Sequence, residues 1–222
     1  ISMGGVLGPV FLLLGLKVAS SASVSLWLNL ELIATVLLGY LFLRDELNFH
    51  GWAATVGILA AATLLSVSEG CAGVQAGLLV ALACVCWGLD NHYTALITGI
   101  TPAQTTFWKG LVAGMVNFTI GINLDAYTAT LSLTAVAITV GVFSYGISIV
   151  LYITSAQKLG ATRSQVIFSS SPFFGVILAA TFLGEPISLA QIIATLVIIT
   201  SLALLFFEQH SHAHQHEATA HK

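Results

Sequence analysis

The clearest structural signal in the chain is SVSLWLNLELIATVLLGYLFL, residues Ser23–Leu43. These 21 residues are apolar almost throughout, and one carboxylate, Glu31, lies near the middle. At about 1.5 Å per residue, a helix of this length is about 31 Å long, the hydrocarbon thickness of a bilayer. A charged side chain at that depth is costly unless it is protonated, paired or facing water. The stretch therefore predicts a membrane-spanning helix whose carboxyl group faces protein or a polar cavity.

The composition of the whole chain agrees with this prediction. Of its 222 residues, 57% are hydrophobic and only 7% are charged, with a mean hydropathy of +0.98. Soluble domains carry about 25% charged residues. We therefore predict an all-α, polytopic membrane helical bundle. The net charge is −3 and the sequence has no basic stripe, so we expect no nucleic-acid partner.

Apolar runs separated by short polar breaks predict eight spans. They are Ile1–Leu16, Ser23–Leu43, Gly51–Leu65, Val74–Ile97, Thr101–Ile122, Leu131–Ile153, Arg163–Leu183 and Ser188–Phe207.

An internal repeat relates the two ends of the chain at a fixed offset of 140 residues. Ser23–Leu43 falls on Arg163–Leu183, and the acid Asp45 that follows falls on Glu185. Spans one to three thus match spans six to eight, while spans four and five have no partner. We expect two further helices ahead of the first residue, which gives ten helices in two five-helix repeats. Because five is odd, the second repeat enters the membrane inverted, as in many secondary transporters.

The loop charges predict the orientation. One set of loops and the C-terminal tail carry four basic residues: Arg44, Lys158, Arg163 and Lys222. The opposite loops carry one basic residue and three acids: Lys17, Glu69, Asp125 and Glu185. By the positive-inside rule the first set is cytoplasmic. We expect an integral protein of a prokaryotic plasma (inner) membrane with a cytoplasmic C-terminus.

Four segments resemble the EamA-type drug/metabolite transporters. They are SLWLNLELIATVLLGYLFLRDELNFHGW, SQVIFSSSPFFGVILAATFLGEPISLAQ, WGLDNHYT and FWKGLVAGMVN, and the repeated motif FLRDEL/FLGEPI is the most specific part. The resemblance implies that residues 1–66 are the last three helices of a first EamA repeat and that residues 74–207 are a second, five-helix repeat. Residues 208–222 would be a cytoplasmic tail. It also implies a central cavity that exports a small organic metabolite, such as an amino acid, with no cofactor.

Asp90 and Lys109 are expected to face each other. Each lies eight residues from the break 98–101 between spans four and five, so both lie about 12 Å from the same membrane edge. An ion pair at that depth offsets the cost of either charge alone. The pair is either a structural link between two helices or a cavity-lining pair that opens for substrate.

Glu31 then has no assigned cation, and its repeat counterpart is the neutral Ser171. Burial disfavours a charged carboxyl, so we expect Glu31 to exchange a proton near neutral pH. It is either a proton or substrate site, with protons as a coupling ion, or a neutral side chain hydrogen-bonded to a neighbouring helix.

Further candidate substrate contacts surround this depth. Trp27 lies one turn from Glu31, and Tyr145, Ser148 and Tyr152 form one polar-tipped stripe on span six. Ser171 precedes Pro172, which predicts a kink and a freed carbonyl near Phe168. Plain packing and interhelical hydrogen bonding are the alternatives for these residues.

The tail alternates histidine with other residues and is the basis of a second hypothesis. His210, His212, His214 and His216 predict weak Zn²⁺ or Ni²⁺ binding, or simply a solvated tail. Metal-ion transport or handling is therefore an alternative to metabolite transport. A membrane-embedded enzyme is disfavoured, because the spans contain no cluster of His, Asp and Glu suited to a catalytic metal.

Overall fold

The computed structural model describes residues 1–43, 48–124 and 130–220, without the side chains of Leu43 and of residues 207–220. Helices form where the apolar runs predict them. In the described ranges they are α1 (Ser2–Leu16), α2 (Ser21–Phe42), α3 (Phe49–Ser68), α4 (Gly70–Ala95), α5 (Pro102–Asn123), α6 (Leu131–Leu159), α7 (Ala161–Phe182) and α8 (Leu189–Ala220).

The all-helical fold class is confirmed for the described residues. Six of the helices, α2, α3, α4, α6, α7 and the Leu189–Phe206 part of α8, are long and apolar enough to cross a bilayer. The helix α1 is shorter, and α5 is not among the six. The backbone of α8 stays helical to Ala220, past the predicted end of the span. Arg44, Asp45, Asp125 and Lys222 lie outside the described residues, as do the side chains of His210, His212, His214 and His216.

Two helices are broken at equivalent points of the repeat. Helix α2 consists of Ser21–Trp27 and Leu30–Leu38 and ends in a π-helical turn. Helix α7 consists of Ala161–Phe168 and Ser171–Phe182. The offset of 140 residues superposes the two breaks to within one position. The break in α7 confirms the kink expected before Pro172, which has no N–H to donate to the Phe168 carbonyl.

A second structural irregularity follows the same repeat. The π-helical segment Ser2–Leu7 opens α1, and the π-helical segment Gly141–Ile147 lies within α6. These segments coincide at the same offset of 140 residues. Since π-helical turns are rare in proteins, their recurrence supports the duplication beyond the modest identity of the two sequences.

The equivalent helices α2 and α7 pack antiparallel. The first half of α2 contacts the second half of α7, where Gly175 leaves room for Ser25. The second half of α2 contacts the first half of α7. Antiparallel packing of two equivalent helices is the geometry that inverted repeats require.

Helices α3 and α8 form a further contact between the two repeats. They cross at Gly57, where an added Cβ would collide with the Ser201 hydroxyl. Around these crossings lies an apolar core that includes Trp27, Leu32 and Ile58, all fully buried.

The two ends of the bundle are marked by different contacts. Ser20, Glu69, Glu185 and Gln191 meet at one end, called the Glu185 end below. At the opposite end, called the Gln157 end, Gln157 Nε2 donates to the Ile97 carbonyl at 3.0 Å.

Candidate functional site

Four polar side chains from three helices meet inside the bundle. Asn91 Nδ2 on α4 lies 2.9 Å from Glu31 Oε1, 3.2 Å from Thr35 Oγ1 and 3.2 Å from Gln165 Oε1. Glu31 and Thr35 belong to α2, and Gln165 belongs to α7. These four residues, Glu31, Thr35, Asn91 and Gln165, are called the central cluster. It joins the two repeats at the crossing of their equivalent helices.

The close approach of α4 to α2 positions this cluster. At Gly88 an added Cβ would lie 3.0 Å from the Thr35 nitrogen and 3.0 Å from Ala34 Cβ, so a larger residue would force the two helices to shift apart. Asn91 follows Gly88 by about one helical turn on the same face. The close contact therefore brings a short amide within reach of Glu31.

Glu31 occupies the first turn of the half-helix Leu30–Leu38. The helix N-terminus presents the positive end of the macrodipole to a carboxylate there. The ion pairs found among the described side chains do not include Glu31. Its described contacts are therefore neutral donors and a helix end, as expected for a carboxyl without a cation.

The break in α2 is stabilised by a cysteine of α4. Because the Glu31 N–H donates to the Leu28 carbonyl at 3.0 Å, the Trp27 carbonyl loses its usual donor. Cys84 Sγ lies 3.8 Å from that carbonyl and 3.9 Å from the Leu28 carbonyl. Asn29, also at the break, is fully buried, and its Oδ1 has no partner among the described residues.

Asp90 and Lys109 meet as an ion pair on α4 and α5. Lys109 also donates to Thr94 Oγ1 at 2.6 Å and is only 7% exposed. Asp90 lies next to Asn91 in sequence, so this pair borders the central cluster. The pairing expected from their equal depth is present, and its role in transport stays a prediction.

The polar stripe on α6, which consists of Tyr145, Ser148 and Tyr152, becomes more buried from Tyr145 to Tyr152. Tyr145 is 38% exposed and Tyr152 is 8% exposed. The Tyr152 ring packs edge-on against Phe168, and its hydroxyl has no partner among the described residues. Ser148 Oγ donates to the Ser144 carbonyl of its own helix.

Trp27 and Ser171 do not join the central cluster. Trp27 Nε1 donates to the Ala62 carbonyl of α3 at 3.1 Å, which places the indole in the apolar core. Ser171 begins the second half of α7 and is exposed.

The sequence reasoning missed Asn91, Gln165, Thr35 and Asn29. An uncharged amide stands out less in a sequence than a charge or an aromatic ring, although an amide within a span also needs partners. Asn91 was detectable, because it follows Asp90 directly and lies in a predicted span. Asn29 was detectable as a buried amide within an otherwise apolar helix.

A hydrogen-bonded network closes the Glu185 end. The Glu185 carboxylate accepts from the Ser21 and Ala22 backbone N–H groups at 3.1 and 2.9 Å. Gln191 Nε2 donates to Ser23 Oγ at 2.9 Å, and Ser23 Oγ donates to Glu69. A cavity of about 290 Å³ is lined in part by Glu69, Glu185 and Gln191. Burial opposes the charge of Glu185, but the bonds from Ala22 and Ser21 outweigh it and lower the pKa of that carboxyl.

Comparisons with known proteins agree on one family. The family model described as the EamA-like transporter family matches residues 1–67 and 75–207. A curated protein of Methanothermobacter thermautotrophicus, described as an uncharacterized transporter, is 29% identical over 215 residues. That alignment covers 91% of this chain and 61% of the relative, so the chain spans about three fifths of the relative's length.

A solved crystal structure has the same fold. It superposes with a TM-score of 0.67 at 18% sequence identity. The match covers 92% of this chain and 72% of the solved chain.

Proposed function

The chain belongs to the EamA-like transporter family, and we propose that it is a secondary transporter that moves a small organic metabolite by alternating access. The substrate is an amino acid or a related solute, and the direction is export. The protein lies in a prokaryotic plasma membrane with its C-terminus in the cytoplasm.

One observation carries the proposal. The equivalent helices α2 and α7 are both interrupted, and they cross antiparallel with the central cluster at their contact. Interrupted helices at corresponding positions of two repeats are typical of transporter binding sites, since their half-helix ends and freed backbone groups face the solute. The side-chain Oδ1 of Asn29, buried at the break in α2 and without a partner among the described residues, is an acceptor that a polar solute would satisfy when the site opens.

The distribution of contacts between the repeats supports alternating access. At the Glu185 end, Glu185 and Gln191 bind the start of α2, which belongs to the other repeat. A transporter that opens alternately to its two sides breaks such contacts at one end while the other end closes. The network at the Glu185 end is the contact expected to open on that side.

We assign proton coupling to Glu31. It is an acid at the crossing of the repeats, its contacts among the described residues include no cation, and it occupies a helix N-terminus. The helix N-terminus favours the charged form of the carboxyl. Burial without a neighbouring cation favours its protonated form. A substrate movement that changes the surroundings of Glu31 would also change its proton occupancy.

Uptake into proteoliposomes tests the function. Radiolabelled amino acids and related small solutes are offered under an imposed pH gradient, and Zn²⁺ and Ni²⁺ serve as the competing probes. We expect gradient-driven accumulation of an organic solute and none of the metals. Glu31→Gln should abolish the accumulation but keep exchange of the solute, whereas Thr200→Val, on an exposed face of α8, should change neither.

Other outcomes would overturn parts of the proposal. Accumulation of metal alone would replace the organic substrate. An inert Glu31→Gln would make Glu31 structural. Loss of solute binding with the pH dependence retained would move Glu31 into the substrate site.

A further inference from the structure

The crossing of α2 and α7 is packed most tightly in the half that lies toward the Glu185 end. There Gly175 of α7 faces Ser25 of α2, and a Cβ added to Gly175 would lie 2.5 Å from Ser25 Oγ and 3.0 Å from Ser25 Cβ. Both distances are shorter than an ordinary van der Waals contact. Rotation of the Ser25 hydroxyl would relieve only the first of them. A side chain at position 175 would therefore force the two helices apart.

The other half of the crossing is filled differently. At the repeat offset of 140 residues, Gly175 corresponds to Thr35, and Ser25 corresponds to Gln165. Thr35 Oγ1 and Gln165 Oε1 each lie 3.2 Å from the side-chain nitrogen of Asn91, which belongs to a third helix, α4. Polar side chains thus bridge this half, whereas α2 and α7 touch directly at Gly175. The repeat equivalence therefore identifies Gly175 as the position that makes the Glu185 half the closer contact.

The contact at Gly175 is linked to the bonds that close the Glu185 end. Ser25 Oγ donates to the Ser21 carbonyl at 2.8 Å, and the Ser21 N–H donates to the Glu185 carboxylate. Ala179 follows Gly175 by about one turn on the same face, and its carbonyl accepts from the Glu185 N–H at 3.2 Å. A separation of the helices at Gly175 would therefore move the start of α2 away from the carboxylate that caps it.

We propose that Gly175 is a positioning residue of the transport cycle. Its lack of a side chain sets how closely α2 and α7 approach at the Glu185 end, and this approach sets the balance between the state closed at that end and the state open there. Because protein interiors are close-packed, even a small group added at such a contact changes that balance. This inference deepens the proposed alternating access and rests on it.

Thiol labelling of a cysteine beside the contact measures this balance without any substrate. The reporter is Ala179→Cys in the purified full chain, because Ala179 is only 3% exposed when the Glu185 end is closed. Cys71 is exposed and is replaced by serine, while Cys84 and Cys86 are buried. Gly175→Ser should raise the labelling rate by about fivefold or more, the factor that corresponds to the lower end of the cost of overpacking.

An exchange of the two side chains tests the contact itself. Gly175→Ser combined with Ser25→Gly keeps the total volume at the contact and should return the labelling rate to that of the reporter alone. Ser25→Leu overpacks the same contact from α2 and should raise the rate as Gly175→Ser does. Using both single variants keeps the test valid if one of them does not fold.

Two other glycine-to-serine changes are matched controls, and neither should raise the labelling rate of Ala179→Cys. Gly114→Ser lies on α5, where an added Cβ meets nothing within 4 Å. Gly57→Ser overpacks a different contact between the repeats, because its Cβ would collide with Ser201 Oγ of α8. The second control separates opening at the Glu185 end from a general loosening of the bundle.

The outcomes separate the inference from the function it rests on. The role of Gly175 is overturned if Gly175→Ser labels no faster than Gly114→Ser, or if Gly57→Ser labels as fast as Gly175→Ser. It is also overturned if the exchange of side chains does not restore the rate. If the unmodified chain accumulates no organic solute in proteoliposomes, the proposed transport fails even where the labelling behaves as expected.

Discussion

Lys109 is buried on α5, and its ammonium group is held by two residues of α4. The Asp90 carboxylate neutralises the charge, and Thr94 Oγ1 accepts a further hydrogen bond at 2.6 Å. If only one member of a buried ion pair is replaced, the other charge stays desolvated without a partner, and the protein is destabilised. Replacing both members leaves no unpaired charge. The cost of a substitution here therefore depends on which residue is left behind.

A double-mutant cycle measures that dependence. Asp90→Asn alone leaves Lys109 charged and should destabilise the protein by about 3–5 kcal/mol. Asp90→Asn combined with Lys109→Met should cost clearly less than the sum of the two single changes. The measurement is the thermal or denaturant stability of the purified protein. Strictly additive losses would contradict an energetic coupling of the two residues.

The breaks in the two equivalent helices, α2 and α7, have different physical causes. The break in α7 has a local cause, since Pro172 cannot donate to the Phe168 carbonyl. The break in α2 contains no proline, and the thiol of Cys84 compensates its freed carbonyl from another helix. Equivalent breaks are thus accommodated by different chemistry in the two repeats.

The start of α2 also depends on a distant residue. Ser20 caps the helix locally by accepting from the Ser23 N–H. Glu185 accepts from the two preceding N–H groups and places a negative charge at the positive end of the helix dipole. A loop of the second repeat thereby caps a helix of the first.

We expect Glu185→Gln to lower the stability of the protein at neutral pH by about 1 kcal/mol, because it removes the charge of this cap. The pKa of Glu185 is lowered in the folded protein, so its contribution is fully present above the unfolded pKa of about 4.3 and is lost as the pH falls through the folded pKa. Thermal unfolding of both proteins between about pH 3 and 7 measures the effect. The difference should disappear at the acidic end, and an equal loss at every pH would contradict the charge-dependent cap.

Across the whole molecule, successive helices run in opposite directions, so the loops lie at two opposite ends of the bundle. Glu69 and Glu185 lie at one end, and Ile97 and Gln157 meet at the other. The predicted excess of basic residues belongs to the Gln157 end, where Lys158 lies. By the positive-inside rule we expect the Gln157 end to be cytoplasmic.

A native cysteine tests this orientation. Cys71 is exposed in the first turn of α4, at the Glu185 end, whereas Cys84 and Cys86 are buried. A membrane-impermeant thiol reagent should therefore label intact cells through Cys71, and Cys71→Ser should remove the label. In that background, Thr98→Cys, at the Gln157 end, should react only after permeabilisation. The reverse pattern would invert the assigned topology.

The helix positions, the duplication and the depth of the Asp90–Lys109 pair were predictable from the sequence alone. Each follows from quantities that are local along the chain: the rise per residue, the length of an apolar run and the distance of a residue from a break. The kink before Pro172 was predictable for the same reason, because its cause lies four residues away from its effect.

The central cluster, the break at Leu28–Asn29 and the cap by Glu185 were decided by the tertiary structure. Glu31 and Asn91 are separated by 60 positions, Asn91 and Gln165 by 74, and Ala22 and Glu185 by 163. A buried polar group takes whichever partner the packing brings within about 3 Å, and that choice depends on close approaches such as the one at Gly88. The sequence by itself therefore established that Glu31 needs a partner, and only the packing of α2, α4 and α7 selected Asn91.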